Sequence, residues 1–136
     1  MKKVPVQKLK GVTHELKTKM KEHGIEHHEH LFEAALTPKK REALSTQLGI
    51  SHELMLELAN RADLARLQGV AGVYSDLLEE AGVDTVKELR ERNAEHLHAK
   101  LEEINAVKKL AKDVPSPKVI NHWISLAKRR RKFLQY

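Results

Sequence analysis

The residues of this 136-residue chain whose types and spacing best suit chemistry surround a glycine-rich turn at Gly69–Gly72. Apolar residues at helical spacing stop at the turn and resume directly after it, which predicts two short helices joined by a tight corner. A corner of this kind directs the free backbone N–H groups of a helix N-terminus outward, typically toward a phosphate oxygen. Anion binding is therefore the first chemistry that the sequence indicates.

The spacing around this turn fits a helix-hairpin-helix motif at four places. Leu67, Gly69, Val70 and Ser75 fit the apolar, glycine, apolar and small-residue places, but Ala71 occupies the place of the second glycine. The next basic residue along the chain is Lys87, and several acidic residues that would repel a phosphate follow the turn, namely Asp76, Glu79, Glu80 and Asp84. A purely structural corner between packed helices is therefore the alternative to phosphate contact.

The charge distribution supplies a second candidate for anion binding. The formal net charge is +6, yet residues 1–21 contribute +6 and residues 128–132 contribute +5, so the body between them is acidic. We expect the basic ends, with the turn, to bind nucleic acid without sequence specificity. The expected contacts are Lys2, Lys3, Lys8, Lys10, Gly69, Val70, Ala71, Lys128, Arg129, Arg130, Arg131 and Lys132. The alternatives are solvated tails, with the C-terminal cations favoured by the helix dipole, or weak attraction to acidic lipids.

Metal and enzyme chemistry find less support. His23 and His27 are four residues apart, as in a helical zinc or nickel pair, but Gly24-Ile25 should break the helix between them. The zinc-protease motif, the phosphate-binding loop and the nucleophile elbow do not occur in the sequence, and cysteine is absent. We therefore expect no cofactor and no enzyme activity, and we expect the histidines to form a solvated polar face.

Short helices must position these residues. Capping residues precede the predicted helix starts, and glycines follow several predicted ends, whereas no segment alternates convincingly enough for a strand. The predicted caps are Thr13, Thr37, Ser51, Thr85, Asn93 and Ser116, and the predicted stops are Gly24, Gly49 and Gly82. The sequence therefore predicts an all-α protein of seven or eight helices.

Glycine and apolar positions in the first half of the chain are repeated in the second half at one constant offset, which matches Gly24 to Gly82 and Leu31 to Leu89. We predict two helix-hairpin-helix-like units packed into one compact domain with basic terminal arms. The predicted boundaries are a basic N-terminal arm at 1–12, a first helical unit at 13–60, a second unit containing the turn at 61–127, and a basic C-terminal tail at 128–136. Each unit would bury its apolar side chains against the other.

Several segments together resemble the bacterial domain-of-unknown-function family 4332. They are Leu48-Gly49-Ile50-Ser51, Asn60-Arg61-Ala62-Asp63-Leu64, Gly82 to Leu89, Arg92-Asn93, Leu97-His98-Ala99-Lys100, Asn105, and Pro117, Val119 and Trp123-Ile124. The resemblance covers most of residues 15–127. It implies a helix-hairpin-helix-like fold and brings no activity with it.

Two functions follow from these patterns. The first is a non-enzymatic helix-hairpin-helix-type module that binds nucleic acid through its basic termini and hairpin backbone amides. The second is a protein-interaction or self-assembly module with an acidic helical body. No signal peptide is apparent, and no stretch reaches the about 18 apolar residues that span a bilayer, so we expect a cytoplasmic protein.

Overall fold

The computed structural model describes residues 3–136, so Lys2, one of the expected nucleic-acid contacts, lies outside the described residues. In this range the backbone forms eight α-helices and a short 3-10 helix at Val6–Lys8, and a single antiparallel bridge joins Pro5 to His27. The helices are α1 (His14–Glu22), α2 (His28–Ala34), α3 (Pro38–Leu48), α4 (His52–Leu64), α5 (Val73–Glu80), α6 (Val86–Arg90), α7 (Ala94–Lys108) and α8 (Pro117–Lys128). The predicted all-α fold class is confirmed. None of the helices in the described range is both long enough and apolar enough to cross a membrane.

Side chains cap seven of the eight helices in residues 3–136. Each accepts a hydrogen bond from a backbone N–H in the first helical turn, which would otherwise lack a partner. The caps include all six predicted residues, Thr13, Thr37, Ser51, Thr85, Asn93 and Ser116, together with the ring of His27. Only α5 begins without a side-chain cap, because the residue before it is Gly72.

The two halves of the chain share one packing pattern. In the first half α1 packs on α3, and both α2 and α3 pack on α4. In the second half α5 packs on α7, and both α6 and α7 pack on α8. One buried cluster contains residues between Val6 and Ala62 together with Leu134, and a second contains residues between Leu64 and Ala127, so α4 contributes to both.

The repeat predicted between the two halves is also present in the backbone conformation. The first helix of each half is followed by a glycine with positive φ, 76° at Gly24 and 85° at Gly82. The next residue is buried, and its N–H donates to the carbonyl five residues earlier, at 2.9 Å for Ile25 and 2.8 Å for Val83. The same helix-ending motif therefore turns the chain into α2 and into α6.

The basic C-terminal segment packs against the first half of the chain. Leu134 lies in the first buried cluster and is 4% exposed. The N–H of Gln135 donates to the carbonyl of Leu36 at 2.9 Å, and Lys132 Nζ lies 2.8 Å from Glu33 Oε1. Burial of Leu134, two residues after the basic run, therefore attaches the end of the chain to the first half.

We expect Leu134→Ala to lower the free energy of unfolding by about 2–5 kcal/mol, because it leaves a cavity in the first cluster. Urea denaturation measures the change. Val107→Ala is the matched control, since Val107 is 80% exposed and its replacement should have little effect. Equal midpoints for the two variants would show that the C-terminal segment does not contribute to the core.

Candidate nucleic-acid interface

The predicted turn lies between α4, which ends at Leu64, and α5, which begins at Val73. Gly69 and Gly72 adopt positive φ of 89° and 80°, which side chains disfavour. Ala71, which occupies the place of the motif's second glycine, does not have a positive φ. The second positive φ of the turn is found one residue later, at Gly72. The alanine therefore introduces no backbone strain.

The start of α5 faces outward without a cap. Ala71 and Gly72 line two neighbouring surface hollows, so the uncapped end of α5 borders both. Val70 is fully buried and fixes the turn to the second cluster. Of the three predicted turn contacts, Gly69 and Ala71 are thus available to a ligand, while the side chain of Val70 is not.

A second copy of the turn precedes α1, and the interpretation of the sequence missed it. Leu9–Val12 repeats the Leu-x-Gly-Val pattern of Leu67–Val70 at the same offset that relates Gly24 to Gly82. In both turns the valine N–H donates to the leucine carbonyl at 3.2 Å, and the glycine has a positive φ, 98° at Gly11 and 89° at Gly69. Comparing the two halves upstream of Gly24 and Gly82 at the same offset would have revealed this second turn.

The segments that contain the two turns lie side by side. A groove of about 330 Å³ is lined by residues 3–5 and 8 on one side and by residues 65–69, 71 and 72 on the other; we call it the twin-turn groove. A smaller hollow of about 80 Å³ brings Lys10 beside Ala71 and Gly72. The lysines that the second turn lacks in sequence are therefore supplied by the N-terminal segment.

The acidic residues after the turn are largely paired. The guanidinium of Arg61, which is 6% exposed, binds the carboxylates of both Asp76 and Glu79. Lys108 donates to Glu80 at 2.6 Å, and this hydrogen bond lowers the pKa of that carboxyl. The repulsion that these carboxylates would exert on a phosphate is therefore offset by Arg61 and Lys108, which are distant from the carboxylates in sequence.

A buried ion pair lies beside the twin-turn groove, and its Arg66 contributes to the lining. Arg66 Nε donates to Asp63 Oδ1 at 3.0 Å, while Asp63 Oδ2 accepts the N–H of Val86 at 2.8 Å. The Arg66 guanidinium also stacks over the ring of Phe32, at 4.0 Å from the ring centroid. The backbone carbonyl of Arg66 accepts a hydrogen bond from the guanidinium of Arg130 at 2.7 Å. Burial raises the pKa of Asp63, although the charge of Arg66 opposes the shift.

His28 holds the N-terminal segment in place. Its backbone N–H donates to the Val4 carbonyl at 2.8 Å, and its ring Nδ1 accepts the Val4 N–H at 3.0 Å. The ring is fully buried, and because Nδ1 is an acceptor its proton lies on Nε2. Burial lowers the pKa of His28, and the charges of Arg66 and Arg130 add to that shift, while Glu29 opposes it.

The neighbouring histidines bond to local backbone. Nδ1 of His27 accepts the Glu29 N–H, and Nδ1 of His30 accepts the Glu26 N–H, each at 3.2 Å. The two rings stack with centroids 3.7 Å apart. In the part of the chain that the structure describes, no group of three or more histidine, aspartate or glutamate residues could hold a metal ion.

The remaining predicted contacts lie at the C-terminus and do not line the twin-turn groove. Lys128, Arg129 and Arg131 are exposed at and beyond the end of α8. Arg130 is bonded to the Arg66 carbonyl, and Lys132 pairs with Glu33. The groove thus unites the N-terminal lysines with the turn but does not include the C-terminal cations.

Comparison with known proteins identifies one family. The model of the family described as domain of unknown function (DUF4332) matches residues 10–130, a range that contains both Leu-x-Gly-Val turns almost entirely. No curated protein and no solved structure matches the chain.

We expect Asp63→Ala to lower the free energy of unfolding by about 3–5 kcal/mol, because it leaves the buried Arg66 charge unpaired and removes the acceptor of the Val86 N–H. Chemical denaturation measures the loss. Asp113→Ala, which removes an exposed carboxylate, is the control and should be nearly neutral. A loss no larger than that of the control would contradict the central role of the ion pair.

We also expect stability to fall as the pH drops below about 6.5, the ordinary pKa of histidine. The folded chain keeps His28 neutral below that value, so the unfolded chain binds a proton that the folded chain does not, and acid favours unfolding. His28→Asn retains an acceptor for Val4 but cannot take up the proton, so its unfolding free energy should depend less on pH between about 5 and about 7. His52→Asn, at an exposed position, should keep the parental profile; parallel profiles for all three proteins would refute the assignment.

Proposed function

The chain belongs to the family described as domain of unknown function (DUF4332), and because that description assigns no activity, we propose from the twin-turn groove that it is a non-enzymatic module binding nucleic acid without sequence specificity. The observation that carries this proposal is the position of Lys3 and Lys8 in one groove with Gly69 and Ala71. A phosphate in this groove would meet ammonium groups from one side and turn backbone from the other.

The chemistry of the groove suits a phosphodiester backbone. Backbone N–H groups at an uncapped helix start donate to phosphate oxygens and favour negative charge. Lysine adds a mobile point charge that tolerates variation in the position of the phosphate. Neither group contacts base edges from this position, so binding would fix the protein on the polymer without reading its sequence.

The charge of the surroundings supports the same proposal. Asp76 and Glu79 are held by Arg61, so they do not present free carboxylates to the groove. Lys10 lies beside Asp76 and Gly72 in the adjacent hollow and extends the cationic rim. The net field at the turn is therefore more positive than the acidic composition of the body suggests.

A protein-interaction module is the second candidate function, and one surface favours it. A hollow of about 300 Å³ beside α4 is lined by Glu53, Glu57, Glu79 and Asp84, four carboxylates around the single cation Arg61. Burial raises the pKa of Glu79 and of Asp84; neighbouring carboxylates add to the shift and the charge of Arg61 opposes it. A cationic segment of a partner protein would relieve this repulsion.

The first experiment measures binding to a random-sequence DNA across a salt series. We expect the triple variant Lys3→Ala, Lys8→Ala and Lys10→Ala to weaken binding at low salt and to reduce the log–log salt slope by about 3, roughly one for each lost phosphate contact.

The control removes three exposed lysines that do not line the groove, Lys39, Lys112 and Lys118. It changes the net charge equally and should retain most of the slope. The same loss in both triple variants would indicate a diffuse charge effect rather than a site. Absence of DNA binding by the parent protein would overturn the proposed function and leave the acidic hollow as the better candidate.

A further inference from the structure

The floor of the twin-turn groove is apolar, which phosphate binding does not require. Val4, Pro5, Ala65, Leu67 and Ala71 line it, whereas Lys3 and Lys8 are exposed residues on its N-terminal side. Its volume of about 330 Å³ lies at the lower end of the range typical of small-ligand sites. A ligand that fills it must therefore join a compact apolar group to an anion.

We propose that the twin-turn groove binds one unpaired nucleobase of a single-stranded nucleic acid, with the flanking phosphates on its lysines. This inference rests on the proposed function and makes it more specific. In a duplex the bases are stacked and paired inside the helix, so the phosphates alone would reach the lysines and the apolar floor would stay unoccupied. An unpaired base has a flat apolar face and can enter the concavity.

The groove also contains a polar group suited to a base edge. Gln68 is exposed and lines the groove between the buried Leu67 and the exposed Gly69. Its amide both donates and accepts hydrogen bonds, so it can pair with the edge of any of the bases. The base would therefore be bound with little preference for its identity, in agreement with non-specific binding.

The packing makes this pocket available without rearrangement of the core. Leu67 is held in the second cluster, and Val4 is held by its two hydrogen bonds to His28, so both sides of the floor are fixed before a ligand arrives. A preformed pocket loses less conformational entropy on binding than one that must be assembled.

The test compares three DNA probes of equal phosphate number in the same salt: a single-stranded oligothymidine, an abasic strand of the same length, and a duplex. We expect the single strand to bind most tightly and the abasic strand to bind roughly tenfold more weakly, which corresponds to about 1.4 kcal/mol of lost base contact. The duplex should resemble the abasic strand.

Ala71→Leu fills the floor without removing a charge. It should reduce single-strand binding to the level at which the same variant binds the abasic strand, so that the preference for bases is lost. Ala99→Leu, the same substitution at an exposed position of α7, should leave all three affinities unchanged. If Ala71→Leu loses its helical circular dichroism, Gln68→Ala at an exposed position replaces it and should likewise reduce the preference for the single strand.

The outcomes separate the two proposals. If no probe binds, the proposed function fails and this inference fails with it. If the abasic strand binds as tightly as the oligothymidine, or the groove variants keep the preference for bases, the base pocket is refuted while phosphate binding stands. Stronger binding to anionic lipid vesicles than to any DNA would identify an acidic membrane surface as the preferred ligand and refute both.

Discussion

The buried ion pair between Asp63 and Arg66 is the interaction on which the rest of the structure depends. It lies in an unbroken run of buried residues, 61–67, where the first apolar cluster ends and the second begins. Removing two charges from water is costly, and such a pair is tolerated only when its remaining hydrogen-bonding groups are satisfied. Here the carboxylate also accepts the first N–H of α6, and the guanidinium covers the ring of Phe32 in the other half. The pair therefore fixes the two halves to each other and holds Arg66 at the lining of the groove.

The two turns repeat one sequence pattern but differ at the residue that follows it. Thr13 and Ala71 occupy matching places, one residue after the valine of each turn, yet only Thr13 caps the following helix. In the first half, lysines lie close to Gly11 and the helix start is satisfied by a hydroxyl. In the second half, the turn has no lysine, and the helix start has no cap. Lysines from the first half and turn backbone from the second half thus lie together in the groove and in the adjoining hollow.

The two basic ends of the chain are similar in composition but make different contacts. The N-terminal segment is held by paired hydrogen bonds between Val4 and His28, and its Lys3 and Lys8 line the groove. The C-terminal segment attaches through Leu134, and two of its five consecutive cations contact acceptors within the chain, the Arg66 carbonyl and the carboxylate of Glu33. Net charge alone does not separate these roles, because the difference depends on which neighbouring acceptors the fold supplies.

The sequence by itself determined the helical class, the helix starts at Thr13, Thr37, Ser51, Thr85, Asn93 and Ser116, the stops at Gly24, Gly49 and Gly82, and the offset that relates the halves. These features depend on local hydrogen bonds and backbone conformation, which residue types within a few positions control. Only the tertiary structure decided that Arg61 pairs with Asp76 and Glu79, that His28 tethers Val4, and that the N-terminal lysines lie beside the second turn. Those contacts join residues that are far apart along the chain, so no local sequence pattern specifies them. They follow from the packing of two apolar clusters that share helix α4.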